Sequence, residues 1–199
     1  MSAHNNSESQ SAVLNRRDVV SQLLADRGDM LVVAGLGAPA WDITAAGDHP
    51  LSFPLWGAMG GAAMVAMGVA LAQPNRRVLC VTGDGEMLMG LGSLATIAVQ
   101  RPRNLSIVVL DNERYGETGM QKTHTAFGVD LASMAHAAGF VQSLRVVTAA
   151  DVLNLVSIVK NDEGSIFAQV KVSTDPVPLV LPPKDGEMLK NRFREAVLG

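Results

Sequence analysis

The chain has 199 residues, enough for one domain with a buried core, and 48% of them are hydrophobic while 18% are charged. This composition excludes a disordered protein, and a net charge of −3 argues against binding to nucleic acid or to an anionic membrane. The one cysteine, Cys80, excludes an intramolecular disulfide and a Cys-rich metal or iron–sulfur cluster within this chain.

The N-terminal part predicts a tail, a helix and a strand. Residues 1–12 are polar and predict a flexible tail that is neither a signal peptide nor a membrane anchor, which favours a cytoplasmic protein. Asn15 can cap a helix over residues 16–26, and Gly28 ends it. Residues 30–34 are wholly apolar, as expected for a strand covered on both faces.

Two further features precede the middle of the chain. Gly35 and Gly37 predict a tight turn into a short helix over residues 39–45, since the third glycine of a dinucleotide fingerprint is missing. Residues 51–73 carry no charge, which is compatible with a transmembrane helix or with a helix buried against a sheet. Pro54 and the many Gly and Ala residues make this segment weakly hydrophobic and favour the buried helix.

Strands and helices alternate through the rest of the chain. Apolar runs predict strands at residues 78–81, 105–110, 141–147 and 165–172. Helical spacing predicts helices at residues 87–99, 130–138, 151–160 and 186–197, the third of them begun by Thr148. The core face expected for the first of these helices consists of Leu88, Leu91, Leu94, Ala95 and Ala98. This alternation is typical of an α/β fold with an open, mostly parallel sheet and helices on both faces.

The domain therefore spans residues 13–173, and a separate segment follows it. Residues 174–199 contain four prolines and predict an extended arm that leads into an amphipathic terminal helix. Such an arm either embraces a partner subunit or wraps its own domain.

Polar side chains follow two neighbouring strands of the predicted sheet. Gly83-Asp84-Gly85 comes after the strand at residues 78–81, and Asp111-Asn112 comes after the strand at residues 105–110. The carboxyl ends of parallel strands meet at one crevice, where ligands bind. A carboxylate and an amide oxygen, with glycine allowing close backbone approach, suit a Mg²⁺-bound diphosphate. A lone Gly-Asp-Gly can equally be only a turn.

This arrangement, with Asn112 at the family's spacing after Asp84, resembles the cofactor signature of thiamine diphosphate-dependent enzymes. The resemblance implies that thiamine diphosphate and Mg²⁺ are cofactors, and that Asp84, Asn112 and the main-chain carbonyl of Arg114 bind the metal. The residues it assigns to the cofactor are Gly57, Ala58, Met59, Gly83, Asp84, Gly85, Glu86, Asn112, Arg114, Tyr115 and Gly116.

Residues 55–61, upstream of this signature, look like the segment that the family places against the aminopyrimidine ring. By this resemblance, the Gly57 carbonyl accepts from the 4′-amino group, and the Met59 amide donates to N3′. The Met59 side chain would wedge between the two rings, which makes Met59 a catalytic candidate. Taken without the resemblance, a Met in a Gly- and Ala-rich run is a core-packing residue.

Two departures from the family pattern bear on the site. Glu86 stands where relatives often carry a small residue, so its carboxylate must point away from the phosphates or pair with a cation. Residues 119–123, Gly-Met-Gln-Lys-Thr, are similar to the Gly-Gly-Gln-Pro-Thr stretch of 2-oxo-sulfonate and 2-oxo-phosphonate decarboxylases. They depart from it at Met120 and Lys122, so the substrate does not follow from this similarity.

The loop at residues 113–127 is where specificity is expected. Arg114, Lys122 and His124 form either a cationic wall for an anionic substrate or an ordinary solvated surface. Glu117 either shuttles a proton or anchors the loop, so Glu117 and His124 are further catalytic candidates.

The family also needs a glutamate from a second, pyrimidine-binding domain, for which this chain has no room. The resemblance therefore implies the beta subunit of a split 2-oxo acid decarboxylase, with a pyrimidine-binding alpha subunit or a second beta subunit as partner. The expected reaction is the non-oxidative decarboxylation of a small anionic 2-oxo acid, such as sulfopyruvate or phosphonopyruvate, to an aldehyde. The alternatives are a carboligase or 2-oxo acid oxidoreductase subunit, a non-catalytic cofactor-binding or assembly subunit, and a Rossmann-like nucleotide binder.

Overall fold

A parallel sheet of six strands organises the computed structural model, which describes residues 13–199. The predicted tail at residues 1–12 lies outside the described residues. In chain order the sheet strands are β1 Leu31–Ala34, β2 Ser52–Pro54, β3 Val78–Gly83, β4 Leu105–Asp111, β7 Gln142–Val146 and β8 Ile166–Lys171. A short antiparallel hairpin of β5 Arg114–Tyr115 and β6 Gln121–Lys122 stands apart from the sheet. The strand order in the sheet is β2-β1-β3-β4-β8-β7.

Helices cover both faces of this sheet, which confirms the predicted fold class. They are α1 Arg16–Leu24, α2 Ala38–Ala45, α3 Ala62–Ala72, α4 Asp84–Met89, α5 Ser93–Gln100, α6 Leu131–Ala138, α7 Ala149–Asn161 and α8 Gly186–Leu198. Side chains of α1, α2 and α7 bury one face of the sheet, and side chains of α3, α5, α6 and α8 bury the other. A 3₁₀ turn at His124–Phe127 follows the hairpin.

The central strands are largely apolar because each face of the sheet has its own core, whereas the edge strand β7 carries Gln142, Ser143 and Arg145. In β1, Leu31 and Val33 belong to the core under α3, while Val32 and Ala34 belong to the core under α1. Successive strand residues point to opposite faces, so a strand covered on both sides needs an apolar residue at every position. This arrangement confirms the interpretation of residues 30–34 as a doubly covered strand.

The predicted helix caps are also confirmed. The Asn15 side chain accepts hydrogen bonds from the backbone N–H groups of Arg17 and Asp18 at the start of α1. Thr148 begins α7 in a reciprocal capping arrangement with Asp151. These local signals placed both helix starts correctly.

The interpretation of residues 51–73 as one buried helix is wrong in its first half. Ser52–Pro54 forms the edge strand β2, a loop follows at residues 55–61, and only Ala62–Ala72 is helical. Pro54 is compatible with an edge strand and not with a helix interior, and Gly60 adopts a φ of 94° that favours glycine. Among the described residues, none of the helices is long and apolar enough to cross a membrane.

The helix predicted at residues 87–99 is in fact two helices, α4 and α5, separated by residues 90–92. The break changes which side chains face the core. Leu94 and Ala98 are buried as expected, whereas Ala95 is exposed and Ile97 is buried in its place. The break contains Gly90 and Gly92, and the close approach of the Gly60 backbone requires glycine at position 90.

The C-terminal segment packs on its own domain, as one of the two alternatives for the arm expects. The indole N–H of Trp56 donates to the Pro183 carbonyl at 2.8 Å, and Arg17 donates to the Pro178 carbonyl at 2.7 Å. In α8, the Phe193 ring stacks on Phe53 of β2 with the ring centroids 5.3 Å apart. The arm and α8 therefore cover the β2 edge of the sheet.

The variant Phe193→Ala is expected to lower the free energy of unfolding by about 3 kcal/mol, because it removes a buried ring and leaves a cavity beside Phe53. Urea denaturation followed by circular dichroism measures this loss. Leu198→Ala is the matched control, since Leu198 is exposed on the same helix and its loss should cost less than about 0.5 kcal/mol. Equal effects of the two variants would show that α8 is not packed as described.

Candidate functional site

A cavity of about 370 Å³ lies at the carboxyl ends of β1, β3, β4 and β8. The residues that follow these strands, Leu36, Asp84, Asn112 and Val172, all line it. Every residue predicted to bind the cofactor lines this cavity except Gly57 and Ala58, which lie exposed in the loop beside Met59. The four strands thus bring together residues that are far apart in sequence, as the parallel topology predicts.

Asp84 is the first residue of α4, and its side chain is buried. The register of β3 and β4 pairs Gly83 with Leu110, which places Asp84 beside Asp111 and Asn112. The Thr123 hydroxyl donates to Asp84 Oδ2, and the Thr125 hydroxyl, which gives its one proton to Asp111, lies 3.3 Å from the same oxygen. Within the part of the chain that the structure describes, no side chain bonds Asp84 Oδ1, which leaves this oxygen for another ligand.

Asp111 supports this arrangement from behind. Its fully buried carboxylate accepts hydrogen bonds from Thr125 at 2.7 Å, Gln169 at 2.6 Å and Lys171 at 2.9 Å. Burial lowers the pKa of Lys171, but its hydrogen bonds with Glu113 and Asp111 outweigh this and raise the pKa. The sequence analysis missed this network. The only available signal was the polar Gln169 and Lys171 at the end of an otherwise apolar strand.

The electrostatics of the cavity act most strongly on Asp84. Burial raises the pKa of its carboxyl from 3.8 to about 6, the hydrogen bond from Thr123 lowers it, and the neighbouring charge of Asp111 raises it. The ionised form of Asp84 is therefore stabilised less than in water. A cation at Oδ1 would restore that stabilisation.

Asn112 closes a tight turn at the start of the following loop. Its side-chain oxygen accepts a hydrogen bond from the Arg114 backbone N–H at 3.0 Å, across Glu113 with its left-handed φ of 63°. The turn orients the Asn112 amide and the Arg114 residue toward the same cavity. It brings two of the three predicted metal ligands to one place.

Gly85 forms the floor of the cavity below two side chains. A Cβ at Gly85 would lie 2.6 Å from Cε1 of Tyr115 and 3.6 Å from Cε of Met59. Only glycine leaves room for this ring, which explains the residue type at this position. Met59 is exposed and lines the cavity, so it is not the core-packing residue of the alternative interpretation.

The structure separates the three cationic residues that the sequence analysis grouped in the loop at residues 113–127. Arg114 lines the cavity, but Lys122 lies over the Phe127 ring, 5.6 Å from its centroid, and His124 is an exposed residue outside the cavity. Arg16 of α1 lines the cavity and is held by hydrogen bonds to Asp42 and the Ala38 carbonyl. The sequence analysis missed Arg16, because nothing near it in sequence marks it as a site residue.

Glu117 also lines the cavity, on the loop that follows Asn112. Its carboxylate packs over Gly37, where a Cβ would lie 2.6 Å from Glu117 Oε1. Burial raises the pKa of Glu117, and the charge of Arg16 partly lowers it. The side chain is therefore placed where it can hold a proton at the edge of the cavity.

Residues 39–170 match the sequence profile of the family described as "Thiamine pyrophosphate enzyme, C-terminal TPP binding domain". The chain belongs to this family. The match includes residues 55–61, Asp84, Asn112 and the loop up to His124, and it thus contains all the predicted site residues.

Individual members of the thiamine pyrophosphate enzymes are similar over most of the chain. The sulfopyruvate decarboxylase subunit beta of Methanothermobacter thermautotrophicus is 37% identical over 187 residues, covering 94% of this chain and 97% of that one. The sulfopyruvate decarboxylase of Methanosarcina acetivorans is 30% identical, over 92% of this chain but only 47% of its own length. A putative thiamin diphosphate-dependent enzyme from Mycobacterium smegmatis shares the fold, with a TM-score of 0.69 over 83% of this chain and 33% of that chain, at 23% identity.

The oxygen donors among the residues that line the cavity suit Mg²⁺, the metal expected to bind together with thiamine diphosphate. Asp84 Oδ1, the Asn112 side-chain oxygen and the Arg114 carbonyl are hard oxygen donors, as Mg²⁺ prefers. The residues present therefore suit a Mg²⁺-bound diphosphate.

Proposed function

We propose that this chain is the diphosphate- and Mg²⁺-binding subunit of a split thiamine diphosphate-dependent enzyme that decarboxylates an anionic 2-oxo acid to an aldehyde. The observation that carries the proposal is the match, over 94% of this chain and 97% of the relative, to a protein named as a decarboxylase subunit. The cavity around Asp84 supports it with a suitable donor set. The proposed substrate class is that of sulfopyruvate and phosphonopyruvate.

The chain's own residues bind and orient the cofactor in this proposal. Bound thiamine diphosphate supplies the electron sink that loss of CO₂ requires. Asp84, Asn112 and the Arg114 carbonyl hold Mg²⁺, and the threonines at 123 and 125 keep the Asp84 carboxylate in one orientation. The Gly57 carbonyl and the Met59 amide orient the aminopyrimidine ring.

Two arginines give the cavity its affinity for an anion. Arg16 and Arg114 both line it, while the cofactor's own diphosphate is paired with Mg²⁺. Arg16 is paired with the buried Asp42, so the Arg114 guanidinium is the group that we assign to the carboxylate or the sulfonate of a small substrate. Glu117, at the same edge, holds or releases a proton during product formation.

The partner that we propose is a pyrimidine-binding alpha subunit. The single-chain relative from Methanosarcina is about twice as long as the region it shares with this chain, so the missing half is fused there. The exposed side chains of α3 and α5 carry no charge, and they include Met64, Leu71 and Val99. Exposed Met89 and Met59 also line the cavity, and this supports a partner that covers the open side of the site.

The test is to measure CO₂ release from sulfopyruvate and phosphonopyruvate by the chain, by its partner subunit and by the mixture, with thiamine diphosphate and Mg²⁺. Activity is expected from the mixture alone. The variant Leu71→Glu should reduce this activity more than tenfold, because the new charge would be buried between the subunits and would weaken their association. Lys190→Glu is the control for an added acidic residue, because Lys190 is exposed on α8. A mixture that binds the cofactor but releases no CO₂ would instead support the non-catalytic subunit.

A further inference from the structure

The carboxylate of Glu86 is buried near the cofactor cavity and has no role in the proposed chemistry. Glu86 is the third residue of α4, and only 5% of it is exposed. None of the ion pairs among the described residues includes it. A buried carboxylate without a cation is costly, so its hydrogen-bond partners show what the residue does.

Those partners belong to two different segments of the site. Glu86 Oε2 accepts a hydrogen bond from the Thr82 hydroxyl at 2.9 Å, within β3. Glu86 Oε1 accepts from the backbone N–H of Ala62 at 3.4 Å, directly after residues 57–61. Ala62 begins α3, so the negative charge also lies at the positive end of an 11-residue helix.

Gly35 shows that this position of the carboxylate is built into the fold. A Cβ at Gly35 would lie 1.7 Å from Glu86 Oε2 and 3.1 Å from the Thr82 hydroxyl. The turn after β1 therefore needs glycine to leave room for the carboxylate. The carboxylate thus contacts Thr82 and Ala62 beside Gly35, and it forms no ion pair among the described residues.

We propose that Glu86 is a positioning residue that ties residues 57–61, the aminopyrimidine-binding segment, to the diphosphate-binding turn at residues 83–85. The inference rests on the proposed function for the identity of the cofactor, but not for the contact itself. Glu86 fixes the end of the segment through Ala62, and the Met59 amide and the Gly57 carbonyl are thereby held in place.

The test uses the full chain, alone and mixed with its partner subunit, and the variants Glu86→Met, Glu86→Gln and Glu163→Met. Amide hydrogen exchange at Gly60 and Ala62 is measured without ligand, and calorimetry measures the affinities for thiamine diphosphate and for inorganic diphosphate, both with Mg²⁺. Glu86→Met removes both acceptor oxygens while keeping the side-chain length. Glu86→Gln keeps one acceptor, and Glu163→Met changes an exposed residue at the far end of the sheet.

In Glu86→Met, exchange at Gly60 and Ala62 should be about tenfold faster, and thiamine diphosphate should bind about tenfold more weakly. Inorganic diphosphate should bind within twofold of the wild-type affinity, because it does not use residues 57–61. Glu86→Gln should restore most of the loss, and Glu163→Met should change nothing.

Unchanged exchange in Glu86→Met would overturn the proposal, and so would tighter binding of inorganic diphosphate or an equal loss for both ligands. If Glu86→Met does not fold, Thr82→Val must show the faster exchange, since it removes the hydroxyl that fixes Oε2. If the wild-type mixture does not bind thiamine diphosphate, the proposed function fails, whereas the exchange result still decides whether the contact exists.

Discussion

Replacing Asp84 with Asn is expected to weaken the Mg²⁺-dependent binding of thiamine diphosphate at least about a hundredfold while stabilising the unliganded chain. The loss of binding follows because a neutral amide replaces the only carboxylate in the proposed metal donor set. The gain in stability follows because Asp84 is buried beside the carboxylate of Asp111, and Asn removes both the desolvation cost and the repulsion. The two effects have opposite signs, as expected for a residue selected for binding.

The stabilisation by Asp84→Asn should depend on pH in a defined window. Since the pKa of Asp84 is raised from 3.8 to about 6 in the folded state, the folded chain keeps a proton that the unfolded chain has lost between these pH values. The wild-type chain therefore loses stability as the pH rises through this window, by on the order of 3 kcal/mol, and loses no more above it. The Asp84→Asn variant lacks this loss, so the stability difference grows from about pH 4 to about pH 6 and is then constant.

Two measurements check the expected stability and affinity. They are urea denaturation of both chains at several pH values and calorimetric titration with thiamine diphosphate at saturating Mg²⁺. Asp29→Asn is the matched control, because it removes an exposed carboxylate at the opposite end of the sheet. Wild-type affinity in Asp84→Asn would show that this carboxylate does not hold the metal. A stability difference independent of pH would show that its pKa is not raised.

Gly90→Ala is expected to weaken the binding of thiamine diphosphate about thirtyfold and to destabilise the chain by about 2 kcal/mol. The Gly90 backbone conformation, with φ at −99°, is open to alanine, so the expected effect comes from packing. A Cβ there would lie 2.2 Å from the Gly60 carbonyl oxygen, and backbone atoms cannot swing aside as a side chain can. The aminopyrimidine segment at residues 57–61 must therefore move.

Gly92→Ala provides a control only two residues away. A Cβ at Gly92 meets no atom within 4 Å, and its φ of −60° and ψ of −19° are helical. Alanine should be neutral there, or should stabilise the chain by about 0.4–1 kcal/mol by restricting the unfolded chain. Calorimetry and urea denaturation of both variants separate the two cases, and equal binding by both would contradict the contact between Gly60 and Gly90.

The sequence was informative wherever a structure depends on local physics. The apolar runs at residues 78–81 and 105–110 predicted strands because side chains covered on both faces must be apolar at each position. Asn15 and Thr148 predicted helix starts because their side chains bond the free N–H groups of the first turn. Where these strands end, the order of Gly83-Asp84-Gly85 and Asn112 was enough to predict a shared cavity.

Contacts between segments far apart in sequence were decided only by the tertiary structure. The close approach of Gly60 to Gly90 joins segments some 30 residues apart in the chain. Arg16 reaches the cavity from α1. Thr123 and Thr125 contact Asp84 from the loop after the hairpin. No local pattern marks these residues.

The sequence by itself thus determined the parallel α/β architecture and the place of the cofactor site, since strand periodicity, caps and turn glycines act over a few residues. The tertiary structure decided the orientation of Glu86, the support of Asp84 and the path of residues 57–61. These depend on which atoms meet after folding, and short-range patterns do not contain that information.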